Sequence, residues 1–126
     1  MDQLDIAQTI HRYALAVDTE DWTLLDEAFT ADAFADYTDV AHITGDDCEL
    51  HGREAIAAWL QRHTGGRDTQ HVMTNHVIDL DGDTATMRNY MIQPNGSRGI
   101  YTTEVVRTPD GWRIARLKLS KLADGT

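Results

Sequence analysis

The sequence predicts an α+β domain in which a curved, largely antiparallel sheet wraps three N-terminal helices. Two observations carry this. Apolar residues recur at helical spacing through the first half of the chain, and after residue 69 only strand-like runs separated by turn sequences follow. No Pro- or Gly-rich linker, internal repeat or low-complexity segment divides the 126 residues, so one domain, 1–126, with a modest core is expected.

From Leu4 to Val17 the apolar positions Ile6, Ile10, Tyr13, Ala14 and Val17 form one stripe of a helix. A second, short helix is expected to start near Asp21 or Thr23, with Leu24, Leu25, Ala28 and Phe29 as its apolar face. "TADAFADYTDV" alternates weakly and reads as a strand near residues 33–40, and "HITGDDCELHG" reads as a loop or a short strand pair. Residues 53–63, "REAIAAWLQRH", form the third helix, with Ala55, Ile56, Trp59 and Leu60 inward and "TGG" closing it. Strands are expected at 69–80, 83–92, 98–107 and 111–120, joined by "DGD", "PNGS" and "PDG".

Composition narrows the function. With 11 basic and 21 acidic residues the formal charge is −10, which repels phosphate backbones and anionic lipid, so neither nucleic acid nor a membrane surface is an expected partner. No apolar run approaches the roughly 20 residues of a membrane span. The start, "MDQLDIAQTI", is acidic and lacks the basic and apolar regions of a secretory leader. The lone Cys48 excludes an internal disulfide and fits a reducing compartment, so a cytoplasmic location is expected.

Strand alternation places His71 on one face with Met73, Asn75 and Val77, and His76 on the other with Val72, Thr74 and Ile78. His76 is thereby expected at solvent or a subunit contact. His71 projects inward if its face is the inner one, where a carboxylate would make it an acid/base unit. Asp18 lies at the edge of the first helix's apolar stripe, where helix meets sheet. It could also serve as a cap for the next helix, a role for which Thr19, Asp21 and Thr23 are better placed. His11, His42, His51 and His63 fall in different elements without metal-ligand spacing, so no metal is expected. Ser97 and Ser120 are not in a nucleophile-elbow sequence, and no glycine pattern suggests a phosphate or dinucleotide loop. No cofactor is expected.

Four segments, in order, carry a family resemblance: "RYALAVDTEDWTLLDEAFTADA", "GREAIAAWL", "TQHVMTNHVIDLDGDTA" and "TPDGWRIARL". Together they span almost the whole chain, which resembles the SnoaL-like and scytalone dehydratase-like group of the nuclear transport factor two-like superfamily. The resemblance implies a cone-shaped fold closed at one end by helices, with an apolar pocket. It implies an acid/base pair at Asp18 in "AVDTEDW" and His71 in "TQHVMTN", with Tyr37 in "ADYTD" positioning a water or carbonyl oxygen. Asn75 matches an asparagine of the dehydrochlorinase-like members. Scytalone dehydratase carries a tyrosine where this chain has Val17, a second pocket histidine where it has Asn89, and a substrate-binding asparagine where it has Thr102. Those departures argue against scytalone as substrate.

The function implied is a cofactor-free lyase or isomerase, of dehydratase or cyclase type, acting on a small apolar metabolite such as a polyketide. His71 and Asp18 would be catalytic, and Tyr37, Asn75, Asn89 and Thr102 would contact substrate. The alternative is a non-catalytic small-molecule-binding or accessory module of the same fold. A homo-oligomer, dimer or trimer, is expected, with Tyr90, His76 and Tyr101 available to its interface.

Overall fold

The structure is a computed structural model and describes residues 1–40, 45 and 47–122. Helix α1 spans Asp2–Thr19 and α2 spans Arg53–Thr64, with a 3₁₀ helix at Trp22–Glu27 between them. The strands are β1 (Phe29–Asp36), β2 (Glu49–His51), β3 (Val72–Asp81), β4 (Thr84–Ile92), β5 (Arg98–Thr108) and β6 (Gly111–Lys121). They form one sheet in the order β2-β1-β6-β5-β4-β3. Only the β1–β6 pair is parallel, so the sheet is mixed but largely antiparallel, with β2 and β3 at its edges.

The expected stripe of α1 is buried, joined by Thr9 and Ala16. Buried Thr9 is satisfied by donating to the Ile6 carbonyl at 2.6 Å. The helix is tied at both ends. At its start Asp2 accepts from Trp112 Nε1 at 3.2 Å and pairs with Arg107 at 3.3 Å. At its finish Glu20 adopts a left-handed conformation (φ 56°), and its carboxylate accepts the Gly66 amide at 3.2 Å.

The second helix is 3₁₀ rather than α because only seven residues separate Asp21 from the strand that begins at Phe29. So short a segment cannot repay α-helix nucleation. Strand β1 therefore starts four residues ahead of the expected 33, and Phe29 belongs to the sheet. It stops at Asp36, whose carboxylate accepts the Thr38 amide at 2.9 Å and turns the chain into a short 3₁₀ helix, Thr38–Val40. Of the ambiguous stretch 42–52, Glu49–His51 is a strand, while 42–44 and 46 lie outside the described residues. In α2 the residue that packs on the core beside Ile56, Trp59 and Leu60 is Ala57, and Ala55 is exposed.

Burial alternates along β4, with Ala85, Met87, Asn89 and Met91 inward. On β5 the inward set is Gly99, Tyr101, Thr103 and Val105. Helix α1 packs against β3, β4 and β6, and α2 against β1 and β2. Full burial of side chains such as Ile6, Ile10, Phe29, Met87 and Ile114 contributes about 1.5–3 kcal/mol each relative to exposure. No described helix is long and apolar enough to cross a membrane.

Gly99 is small for a packing reason. A Cβ built there would lie 2.8 Å from Leu119 Cδ1 and 3.0 Å from the Ser120 carbonyl oxygen on the neighbouring strand. Because the carbonyl belongs to the sheet backbone, relief requires moving β6. Gly99→Ala is expected to cost about 1–3 kcal/mol, read as a lower urea midpoint with an unchanged slope.

One irregularity changes which side chains face the core. The β3–β4 register slips between Thr74 and Val77, so Asn75 and His76 together oppose Asn89. Asn75 occupies the left-handed region (φ 59°), which a short amide tolerates at a β-bulge. Simple alternation therefore fails after Thr74. Asn75 and Val77 turn outward, and His76 and Ile78 turn inward.

Candidate active site

Asp18 stands in the last turn of α1, and His71 immediately precedes β3. The two meet across the helix–sheet seam. His71 Nδ1–H donates to Asp18 Oδ1 at 2.6 Å, and the His71 backbone N–H donates to Oδ2 at 2.7 Å. Thr69 Oγ1 also donates to Oδ1, at 3.1 Å. One carboxylate thus holds the imidazole, the backbone behind it and the preceding loop. It also explains why β3 begins at Val72 and not at 69: the amide of His71 is spent on Asp18 and cannot enter the ladder.

The side chains are 8% (His71) and 16% (Asp18) exposed. Because an ionised carboxylate only accepts, Nδ1 carries a proton, and in the neutral imidazole the lone pair is on Nε2. Nε2 makes no hydrogen bond among the described residues. In that neutral form the contact with Asp18 fixes the tautomer and leaves Nε2 unengaged.

His71 lines a cavity of about 350 Å³ at the open end of the sheet. Its apolar lining comes from Val40, Met91 and Leu119, and Tyr101 lines it as well. The rim is polar and includes Gln93, Arg98 and Lys121. On its other side the pair borders a groove of about 270 Å³ between α1 and β3, which His11 and Leu15 also line.

Three buried phenols stand next to this pair. Tyr13 OH lies 2.7 Å from Tyr37 OH and 3.2 Å from Tyr101 OH. Tyr37 also stacks on Trp59, with ring centroids 4.4 Å apart. Burial pushes all three phenols well above their ordinary range, and the nearby Asp18 charge adds to this for Tyr13 and Tyr101. They stay protonated and serve as donors. Three hydroxyl protons share two internal bonds, so one donor is left over. Run as Tyr37→Tyr13→Tyr101, the chain leaves that donor on Tyr101, the member that lines the cavity; run the other way, it leaves it on Tyr37. Each bond in such a chain polarises the next.

The other residues singled out from sequence are placed differently. Tyr37 reaches the site through Tyr13 and is not at the cavity surface. Asn89 is buried on the inner face opposite Tyr101, where its Nδ2 donates to the Tyr90 carbonyl at 3.1 Å. Among the described residues its Oδ1 has no partner, and it does not line the His71 cavity. Thr102 is a correction. It points to the outer face and lines a groove with Phe34, Glu104 and Arg116. Asn75 is another correction, since the bulge directs it outward. The same bulge brings His76 to the inner face, 3.2 Å from His11 and away from the outer face. Tyr101, expected to be available to an interface, is 1% exposed and belongs to the core.

Tyr13 and Tyr101 are the site residues that sequence reasoning missed. A signal for Tyr101 existed. On the 98–107 strand, Thr102 shares its face with charged Glu104, whereas Tyr101 alternates with Gly99, Thr103 and Val105. The charged set is the outer one.

Fold and pocket together define a class: α+β cones that carry a polar pair and buried phenols at the open end of a curved sheet. Residues 1–118 match the SnoaL-like domain, and the chain belongs to that family. An uncharacterised protein of Mycobacterium tuberculosis, Rv2910c, is 35% identical over 126 aligned positions, covering 91% of this chain and 82% of that one. Two solved structures from Novosphingobium aromaticivorans share the fold. One, provisionally assigned as an aromatic ring hydroxylase, is 28% identical with a TM-score of 0.75, covering 96% of this chain and 89% of the other. The second, provisionally assigned as a scytalone dehydratase, is 21% identical with a TM-score of 0.77, covering 95% and 83%. At that identity the likeness is one of fold.

Proposed function

We propose that this protein is a cofactor-free lyase or isomerase acting on a small, largely apolar metabolite with an activating carbonyl. The observation that carries the reading is the Asp18–His71 pair at a cavity wall, with Nε2 unengaged and a phenol, Tyr101, lining the same cavity. His71 Nε2 removes a proton from the carbon next to the carbonyl, and the electron pair moves onto the carbonyl oxygen. Asp18 holds the tautomer that makes Nε2 the base and stabilises the imidazolium that forms. Tyr101, polarised through Tyr13 and Tyr37, donates to the developing oxyanion. The enolate then collapses in one of two ways. Either a β-hydroxyl leaves as water with the imidazolium proton, or that proton returns at another carbon.

The apolar lining suits an aromatic or polyketide-like body, and the polar rim suits the oxygens such molecules carry. The same outer face supports a homo-oligomer, since Val72, Val77, Tyr90 and Ile92 stand exposed on it.

The test is proton exchange in deuterated water with small enones and β-hydroxyketones. Enzyme-dependent deuterium uptake at the carbon next to the carbonyl, lost in His71→Ala, is the expected result. Ligands that bind the cavity without any exchange would instead support a binding module.

A further inference from the structure

The bulge at Asn75 brings together two imidazoles that the sequence keeps 65 positions apart. His11, on the exposed side of α1, and His76, on β3, approach with Nε2···Nε2 at 3.2 Å and ring planes at 88°. Two neutral imidazoles can share one proton in this way, one donating and the other accepting. The spacing has a second meaning. A tetrahedral ion with metal–nitrogen bonds of about 2.0–2.1 Å holds two ligand nitrogens about 3.3–3.4 Å apart. The observed 3.2 Å is close to the separation of two ligands on a common ion.

We propose that His11 and His76 form a binding site for a divalent transition-metal ion of the zinc type, which bridges α1 to β3 through the two Nε2 atoms. Imidazole nitrogen selects such ions over magnesium or calcium, which prefer oxygen. Among the described residues no group of three or more His, Cys, Asp or Glu side chains gathers, so water completes the coordination. Such a site binds less tightly than a structural zinc centre and exchanges its ion readily.

Burial holds both imidazoles below their ordinary range, and for His76 the neighbouring His11 adds to this. Both are therefore neutral near pH 7, the state a metal requires. On binding, the ring that donated through Nε2 gives that proton to solvent and takes one up at Nδ1, so both rings stay neutral and each Nε2 gives its lone pair to the ion.

Position gives the site a consequence. His11 and Asp18 lie seven residues apart on α1 and border the same groove, with His71 and Met73 opposite. A bridge at His11–His76 clamps the seam on which the Asp18–His71 contact depends. The proposal does not rest on the catalytic reading, because it concerns a different pair of histidines.

The test uses the full chain, stripped of metal, titrated with zinc chloride near neutral pH and followed by the imidazole nitrogen resonances. The Nε2 signals of His11 and His76 are expected to move together as zinc is added, and magnesium is expected to leave them in place. The melting temperature should rise by several degrees with zinc and fall back on chelation. His11→Gln and His76→Gln should each abolish the rise. Movement of the His71 resonances instead, or no movement at millimolar zinc, would overturn the site. The resonance readout is made on the unsubstituted protein, so it decides the matter even where a variant folds poorly.

Discussion

Replacing His71 by alanine is expected to lower turnover by about 10²–10⁴-fold, the range contributed by positioned acid/base catalysis. Asp18→Asn should come close to the same loss. Asp18 receives three donors, the His71 ring, the His71 amide and the Thr69 hydroxyl. An asparagine offers one acceptor oxygen and an NH₂ that must face one of those donors. The imidazole then turns its lone pair to the amide, and Nε2 takes the proton and ceases to be a base. Because the two residues act as one unit, adding Asp18→Asn to His71→Ala should cost little more. Steady-state kinetics of the two single variants and the double variant, each verified as folded, make the comparison. Folding must be verified because breaking a buried pair can cost roughly 3–5 kcal/mol. Additive losses would show that the residues act separately and would sink the dyad.

Tyr101→Phe should be the next most damaging change, lowering kcat by about 10²–10³-fold with a small effect on KM. The reasoning is that an oxyanion donor strengthens its bond as charge develops, so its loss falls on the transition state and not on ground-state binding. Tyr13→Phe breaks the chain at its centre and should weaken the same step by a smaller factor, because Tyr101 keeps its own hydroxyl. Thr102→Val is the internal control. One residue along the same strand, it faces outward and should leave kcat and KM near those of the unsubstituted protein. An equal loss in Tyr101→Phe and Thr102→Val would indicate damage to β5 and not to the chemistry.

Much of the scaffold was legible in the sequence because local rules govern it. The α1 stripe follows from 3.6-residue spacing, and the turns at "DGD" and "PDG" contain Gly82 and Gly111, both at positive φ. Asp18 and His71 were legible from their local sequences, and they meet at 2.6 Å. What they would do together was a reading from family likeness and chemistry, and it stands as a proposal. Of the remaining site contacts, Asn89 and Tyr37 are buried without lining the cavity, and Asn75 and Thr102 face outward. A strand's face is decided by parity, and a single slip reverses every assignment beyond it. Thr102, a substrate contact by family resemblance alone, faces outward on β5, and Asn75 and His76 were exchanged by a bulge no propensity announces.

The sequence by itself determined the order of helices and strands, the −10 charge, the apolar stripes and the chemical types available to the site. Spacing along the chain settles these because neighbours within a helix or strand are close whatever the rest of the molecule does. Only the tertiary structure decided that Tyr13, Tyr37 and Tyr101 share two hydrogen bonds, and that His11 and His76 touch across 65 positions. Those meetings depend on how the sheet curves over α1 and on one left-handed residue, Asn75, whose conformation is stabilised by the pairing of the strands around it. A contact between distant segments is set by the packing of whole elements, and no local pattern encodes it.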